Sequence, residues 1–214
     1  MKNRQGEKEM GKEIFKSYDQ SRAVYREYVM RHILAVQKMF AEFGDILIDL
    51  YLIESFYVND ESLADVLKAK TAYNILSHDQ SKLSPEEFDA YAAKFYPCEA
   101  DLRDKDAIER NFKKAWVHHY THNKHHPEYW ICYSNYDKNE YNVVKMSDTA
   151  FIEMICDWMA MSYIKGGTVK SWWYGGAYKE KSELMTTRHI QIIEVMLNHP
   201  MDYLTREVPA CEIP

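Results

Sequence analysis

Glycine and proline are both scarce, seven and six in 214 residues. These residues most often interrupt regular backbone, so their rarity argues against a loop-rich fold and for long helices. Cysteine is sparse as well. Cys98, Cys132, Cys156 and Cys211 lie far apart, form no Cys-x-x-Cys pair and follow no secretory leader, so they read as reduced thiols in a cytoplasmic protein. There is no excess of positive charge. The formal net charge of -6 sets up no field that would draw the chain to a DNA duplex or an anionic membrane. Long hydrophobic runs are missing too: the most apolar run, 46–58, is broken by Asp49 and Glu54 and is too short to span a bilayer. No internal repeat, low-complexity tract or linker divides the chain.

Hydrophobic residues (46%) and charged residues (28%) stand in the proportion of an ordinary globular protein, and the length suffices for one domain with a sizeable core. The pattern predicts a flexible N-terminal segment at 1–16, an all-α single-domain helical bundle over 17–200 and a loosely held tail at 201–214. Apolar residues at three- and four-residue spacings predict a helix from Ser21 through Phe43 and, after Gly44, a second over 45–57. Further helices are expected over 63–76 after a turn at 59–62, from Ser84-Pro85 to Pro97, over 107–120, from 147 or 148 to 163, and over 178–198. Loops are expected at 98–105 and 133–141. The segment Trp172-Trp173-Tyr174, bracketed by Gly166-Gly167 and Gly175-Gly176, reads as a packed loop.

The chemistry-bearing residues stand on separate helices. His32 has Tyr28, Val29 and Val36 three or four positions away and Met39 seven away, so it shares their inward side. His78-Asp79 closes an otherwise apolar helix, and Lys82 follows three residues later. A neutral imidazole and a carboxylate side by side can ligate one divalent cation, and the carboxylate can bridge to a second. Five of the nine histidines fall at 118–126. Among them His119 shares a face with Phe112, Ala115 and Trp116, and His126 precedes Pro127 and the Tyr129-Trp130 pair, which makes these two the first choices for a second metal. His118 and His125 come next, then His122. Asp157 sits among Ile155, Cys156 and Trp158, where an unpaired carboxylate would be costly to bury. Each residue also has a plain reading: a core histidine, a helix cap or salt bridge, an exposed lysine, a solvated His-rich loop.

Taken together, a His, then a His-Asp pair, then a distant Asp, each on its own helix, resemble the HD-domain superfamily of metal-dependent phosphohydrolases over residues 20–165. His78-Asp79-Gln80-Ser81-Lys82 is similar to the His-Asp-x-Gly-Lys element of the cyclic-dinucleotide phosphodiesterase branch, and His125-His126-Pro127-Glu128 to its His-His-Glu element. The spacing of the histidines is shorter than in that branch and its Gly-Tyr-Pro signature is absent, so only the superfamily carries over. The His-Asp-x-Ser-Lys and His-His-Pro-Glu-Tyr-Trp elements also resemble an uncharacterised bacterial and phage domain family. The superfamily resemblance implies an HD-domain-like helical bundle in which His32, His78, Asp79 and Asp157 ligate a metal, with His119 and His126 serving a second. Lys82 would offset phosphoryl charge and Glu86 would assist proton transfer. The expected cofactor is one or two divalent transition metal ions, Mn, Fe, Co, Ni or Zn. The expected partners are a small phosphorylated substrate, a nucleotide or related phosphoester, hydrolysed by metal-activated water, and further copies of the chain in a homo-oligomer. Two other readings stay open: an HD-fold di-iron oxygenase and a non-catalytic helical binding protein.

Overall fold

Between Gly11 and Pro85 the sequence has no proline and a single glycine, Gly44, and this stretch carries one continuous helix, α1 (Tyr18–Glu54), of 37 residues. The structure, a computed structural model, describes residues 14–54, 61–133 and 141–208. The break expected at Gly44 is absent. A Cβ at this position would lie 2.9 and 3.0 Å from ring carbons of Phe40, so glycine admits the Phe40 ring against the helix and does not terminate it. Among the described residues the chain is mostly helical with a single two-stranded sheet, and the backbone groups into two compact units. The first combines the described parts of Met1–Val29 with Ser81–His119, the second Met30–Gln80 with the described parts of Tyr120–Pro214.

In the first unit the beginning of α1 packs with α3 (Phe88–Phe95) and with α4 (Lys105–His122) as far as His119. Aromatic rings make the contact: Tyr25 lies 5.3 Å from Phe88, and Tyr91 meets Phe112 edge-on at 5.1 Å. Arg22 is buried beside them and satisfied by Asp101 at 2.6 Å and Asp89 at 3.2 Å, the pairing that makes a buried guanidinium tolerable. The flexible segment expected at 1–16 is held at its end. Phe15 is buried and its backbone bonds to Pro97 and Glu99, while 1–13 lie outside the described residues. Ser84-Pro85 opens a turn and not yet a helix: α3 begins at Phe88 with Glu87 in the cap position, and Ser84 receives the backbone N–H of Phe88 at 2.9 Å.

The second unit is built around α5 (Asp148–Lys165), which is buried on nearly every side from Ala150 to Tyr163. Its start is as expected, with the Ser147 side chain accepting from Ala150 N–H. The remainder of α1, α2 (Glu61–Leu76) and α8 (Thr187–Met196) supply Val36, Met39, Leu47, Ile75, Ile192 and Ile193 to the same core. The expected loop at 133–141 is flanked by a short antiparallel ladder, β1 (Ile131–Tyr133) with β2 (Tyr141–Val143). The tryptophan segment is helical, through α6 (Val169–Trp172) and a wide turn at Trp173–Ala177; Trp173 is fully buried and donates to Glu194 at 2.9 Å. The single helix expected over 178–198 is split. α7 (Tyr178–Lys181) gives way to a tight turn and to extended Met185, whose side chain is buried, before Thr186 caps α8. The tail is not loose over its described part: Tyr203 and Leu204 carbonyls receive the N–H groups of Val169 and Lys170, and Leu204 is fully buried. The expected end of the 45–57 helix, most of the turn at 59–62, the centre of the 133–141 loop, Cys211 and the last of the tail lie outside the described residues. Among the described residues no helix is long and apolar enough to cross a membrane.

Candidate metal centre

Three segments of the second unit deliver the centre. α1 carries His32 on the face of fully buried Val36 and Met39. α2 ends at Leu76, and the turn that follows holds His78 and Asp79. Neighbouring residues on a helix point about 100° apart, so an adjacent His and Asp cannot both face one point from within it. Here Asp79 adopts a left-handed backbone, φ 55, which turns the chain and brings both side chains inward. Aspartate is among the few residues that tolerate this region. α5 contributes Asp157.

Four ligand atoms converge. His32 Nε2 lies 3.2 Å from Asp79 Oδ2, 3.1 Å from Asp157 Oδ1 and 3.3 Å from His78 Nε2. His78 Nε2 lies 3.5 Å from Asp79 Oδ2 and 3.8 Å from Asp157 Oδ1. A cation about 2.1 Å from each donor sets neighbouring donors about 3.0 Å apart in octahedral and about 3.4 Å apart in tetrahedral geometry. The observed separations fall around these edges. Direct hydrogen bonding accounts for them less well, because three polar atoms crowd one imidazole nitrogen that can carry a single proton. The side chains of His32, His78 and Asp79 are 3%, 0% and 1% exposed, whereas that of Asp157 is 16% exposed, so solvent reaches the group from the Asp157 side.

A further carboxylate lies behind the imidazoles. Glu153, one helical turn before Asp157 on α5, places Oε1 2.9 Å from His78 Nδ1 and 3.1 Å from His125 Nδ1. His125 directs Nε2 toward the other oxygen of Asp79, Oδ1, at 3.5 Å. Asp79, His125 and His126 each offer a ligand atom within 4.8 Å of the others, so Asp79 has one oxygen turned to each of two groups. Burial alone would raise the pKa of Glu153, but hydrogen bonds from His125 and His78 outweigh it and bring the group to about 2. Burial opposes ionisation of Asp157 as well, and the His32 hydrogen bond with the nearby imidazoles holds it far below the ordinary carboxylate range. Between these acids the Cys156 thiol is pushed upward, first by burial and then by the two carboxylates.

The structure thus brings His32, His78, Asp79 and Asp157 together in the second unit, with His126 beside His125 at 4.3 Å between ring centroids. Buried His, Asp and Glu groups here could hold a metal ion. The other sequence candidates fall in the first unit. His119 is buried, with Nδ1 2.8 Å from Glu87 Oε2, and His118 Nδ1 lies 2.7 Å from Glu87 Oε1. Lys82 has its ammonium 6.0 Å from the centre of the Tyr91 ring. Glu86 is exposed, while the neighbouring Glu87 is fully buried, and its acidity, opposed by burial, is strengthened by His119 and His118. Glu153 and Glu87 are not among the sequence candidates, and His125 stands behind His119 and His126 there. The signal for Glu153 was present: a carboxylate between Ile152 and Met154 poses the same burial problem as Asp157. Nothing in the sequence marks Glu87 above Glu86.

No curated protein and no solved structure matches the chain. A family model does match it, over residues 21–199, a span that contains every residue of the centre. The chain therefore belongs to the family of unknown function DUF5662.

Proposed function

We propose that the second unit holds a divalent transition metal ion and that the protein is a hydrolase of a small phosphorylated substrate, a nucleotide or related phosphoester. The reading is carried by one observation, the convergence of His32, His78, Asp79 and Asp157 at donor separations of 3.1 to 3.8 Å. Two imidazoles with two carboxylates suit Mn, Fe, Co, Ni or Zn better than Mg, which favours all-oxygen surroundings. Such an ion, when bound, supplies Lewis acidity toward a phosphoryl oxygen and makes bound water acidic near neutral pH. The residues divide the remaining work. Asp79 and Asp157 balance a dication, so that an anionic phosphoester is not repelled. Asp157, the ligand that solvent reaches, marks the side from which water and substrate approach.

The test is elemental analysis of the protein purified without chelator, beside Asp79→Ala, followed by phosphate release from a panel of nucleotides and phosphomonoesters. About one or two equivalents of transition metal, lost in the variant, with phosphate release that depends on the metal, is the expected result. No uptake of Mn, Co or Ni by the parent overturns the metal centre and leaves a helical binding protein. The second group of Asp79, His125 and His126 favours a two-cation variant of the same centre, including a His-rich iron pair acting on oxygen. Oxygen consumption by the iron-loaded protein without phosphate release would select it.

A further inference from the structure

We propose that Glu153 is a positioning residue that fixes two imidazoles at once, holding His78 and His125 with hydrogen on Nδ1 so that both present Nε2 to the metal centre. The proposal rests on the metal reading above, but not on the reaction assigned to it. A histidine ligates through one ring nitrogen, and the partner of the other nitrogen decides which tautomer is populated. Glu153 supplies that partner twice. A single oxygen, Oε1, lies 2.9 Å from His78 Nδ1 and 3.1 Å from His125 Nδ1, and the rings sit 4.3 Å apart between centroids. The opposite nitrogens then point to the two oxygens of one carboxylate: His78 Nε2 is 3.5 Å from Asp79 Oδ2 and His125 Nε2 is 3.5 Å from Asp79 Oδ1.

Glu153 is thus linked to both groups that share Asp79, and its effect reaches both. The same three residues could themselves enclose a cation. His78 Nδ1 and Glu153 Oε1 meet as a direct hydrogen bond, however, and His125 Nδ1 lies 3.1 Å from the same oxygen while its Nε2 faces Asp79. Helix geometry explains the placement, because Glu153 and Asp157 lie four residues apart on one face of α5. A small cavity of about 210 Å³, lined by Asn74, Ser77, His122, Asn123 and Lys124, adjoins Glu153. It gives a substituted side chain room to be solvated or to settle without repacking α5.

Glu153→Gln and Glu153→Leu separate the roles. Glutamine keeps an oxygen that can accept both N–H groups, whereas leucine fills the space and accepts nothing. Titration with Co²⁺, followed by its visible absorption, is expected to give an affinity within about threefold of the parent for the glutamine variant and about 10- to 100-fold weaker for the leucine variant. Imidazole ¹⁵N spectra of the metal-free parent should place hydrogen on Nδ1 of both His78 and His125. Parent-like Co²⁺ affinity of Glu153→Leu overturns the proposal, as does hydrogen on Nε2 of either ring. If the leucine variant does not fold, the parent spectra still decide. Failure of the parent to take up Co²⁺ defeats the metal reading by itself, while the tautomers in the metal-free protein continue to test the clamp.

Discussion

His32 Nε2 has Asp79 Oδ2, Asp157 Oδ1 and His78 Nε2 within 3.3 Å, more polar neighbours than one proton can serve. Asp79 matters here twice, by its charge and by its backbone. Its left-handed conformation would cost an alanine about 1 kcal/mol or more, whereas asparagine tolerates it. Asp79→Asn and Asp79→Ala should therefore both abolish metal uptake, yet in chelated samples the asparagine variant should unfold at higher urea, by about 1 kcal/mol. Equal urea midpoints would show that the turn at Asp79 carries no conformational demand. His189 makes a different prediction. Burial, assisted by Lys145, lowers its pKa to about 4 against the opposing pull of Asp148 and the Met146 backbone. The unfolded chain takes up this proton near pH 6.5, while the folded one resists until about pH 4. The contribution is thus fully present above about pH 6.5 and is lost as pH falls toward 4, about 3 kcal/mol in all. In metal-free samples His189→Gln should flatten this part of the stability profile, and a parent-like slope would contradict the assignment.

Gly44 decides the character of α1. In an exposed helix interior, glycine to alanine gains about 1 kcal/mol. Here the added methyl meets the Phe40 ring at 2.9 Å, and Phe40 packs against the core of the second unit. Gly44→Ala should lose stability, by about 1 kcal/mol in urea unfolding, because overpacking outweighs propensity. A gain would mean that the ring moves aside at little cost. α5 shows how an element can be central and still carry charge. Its surface is apolar nearly all round, and the acids beyond its first turn, Glu153 and Asp157, are tolerated because imidazoles meet each of them.

For the whole molecule, a ligand that binds only the folded state adds to its stability by mass action. A divalent metal at about 100 times its dissociation constant contributes about 2.7 kcal/mol, which for a chain of this size raises the melting temperature by about 5 to 10 °C. Thermal unfolding with Co²⁺ and then with excess EDTA should show this rise and its reversal. No shift at saturating metal would mean that the folded protein does not bind it. Acidification should weaken the effect further, since protons compete for the ligand nitrogens.

The sequence determined the helical character, through few glycines and prolines and apolar spacings of three and four, and it marked His32, His78, Asp79 and Asp157 by placing polar groups on inward faces. Their meeting was decided by tertiary structure, because convergence depends on the left-handed turn at Asp79 and on the packing of α1, α2 and α5. The same holds for the choice among the histidines. Composition could count five of them at 118–126, but only the folded chain sets His125 Nδ1 against Glu153 and His118 and His119 against Glu87. Boundaries went the same way: Gly44 reads as a stop until the Phe40 ring is seen against it, and 178–198 reads as one helix until Met185 is buried in an extended conformation between two. Local propensity selects the kind of element, whereas burial and pairing between residues far apart in the chain decide where it ends and which side chains meet.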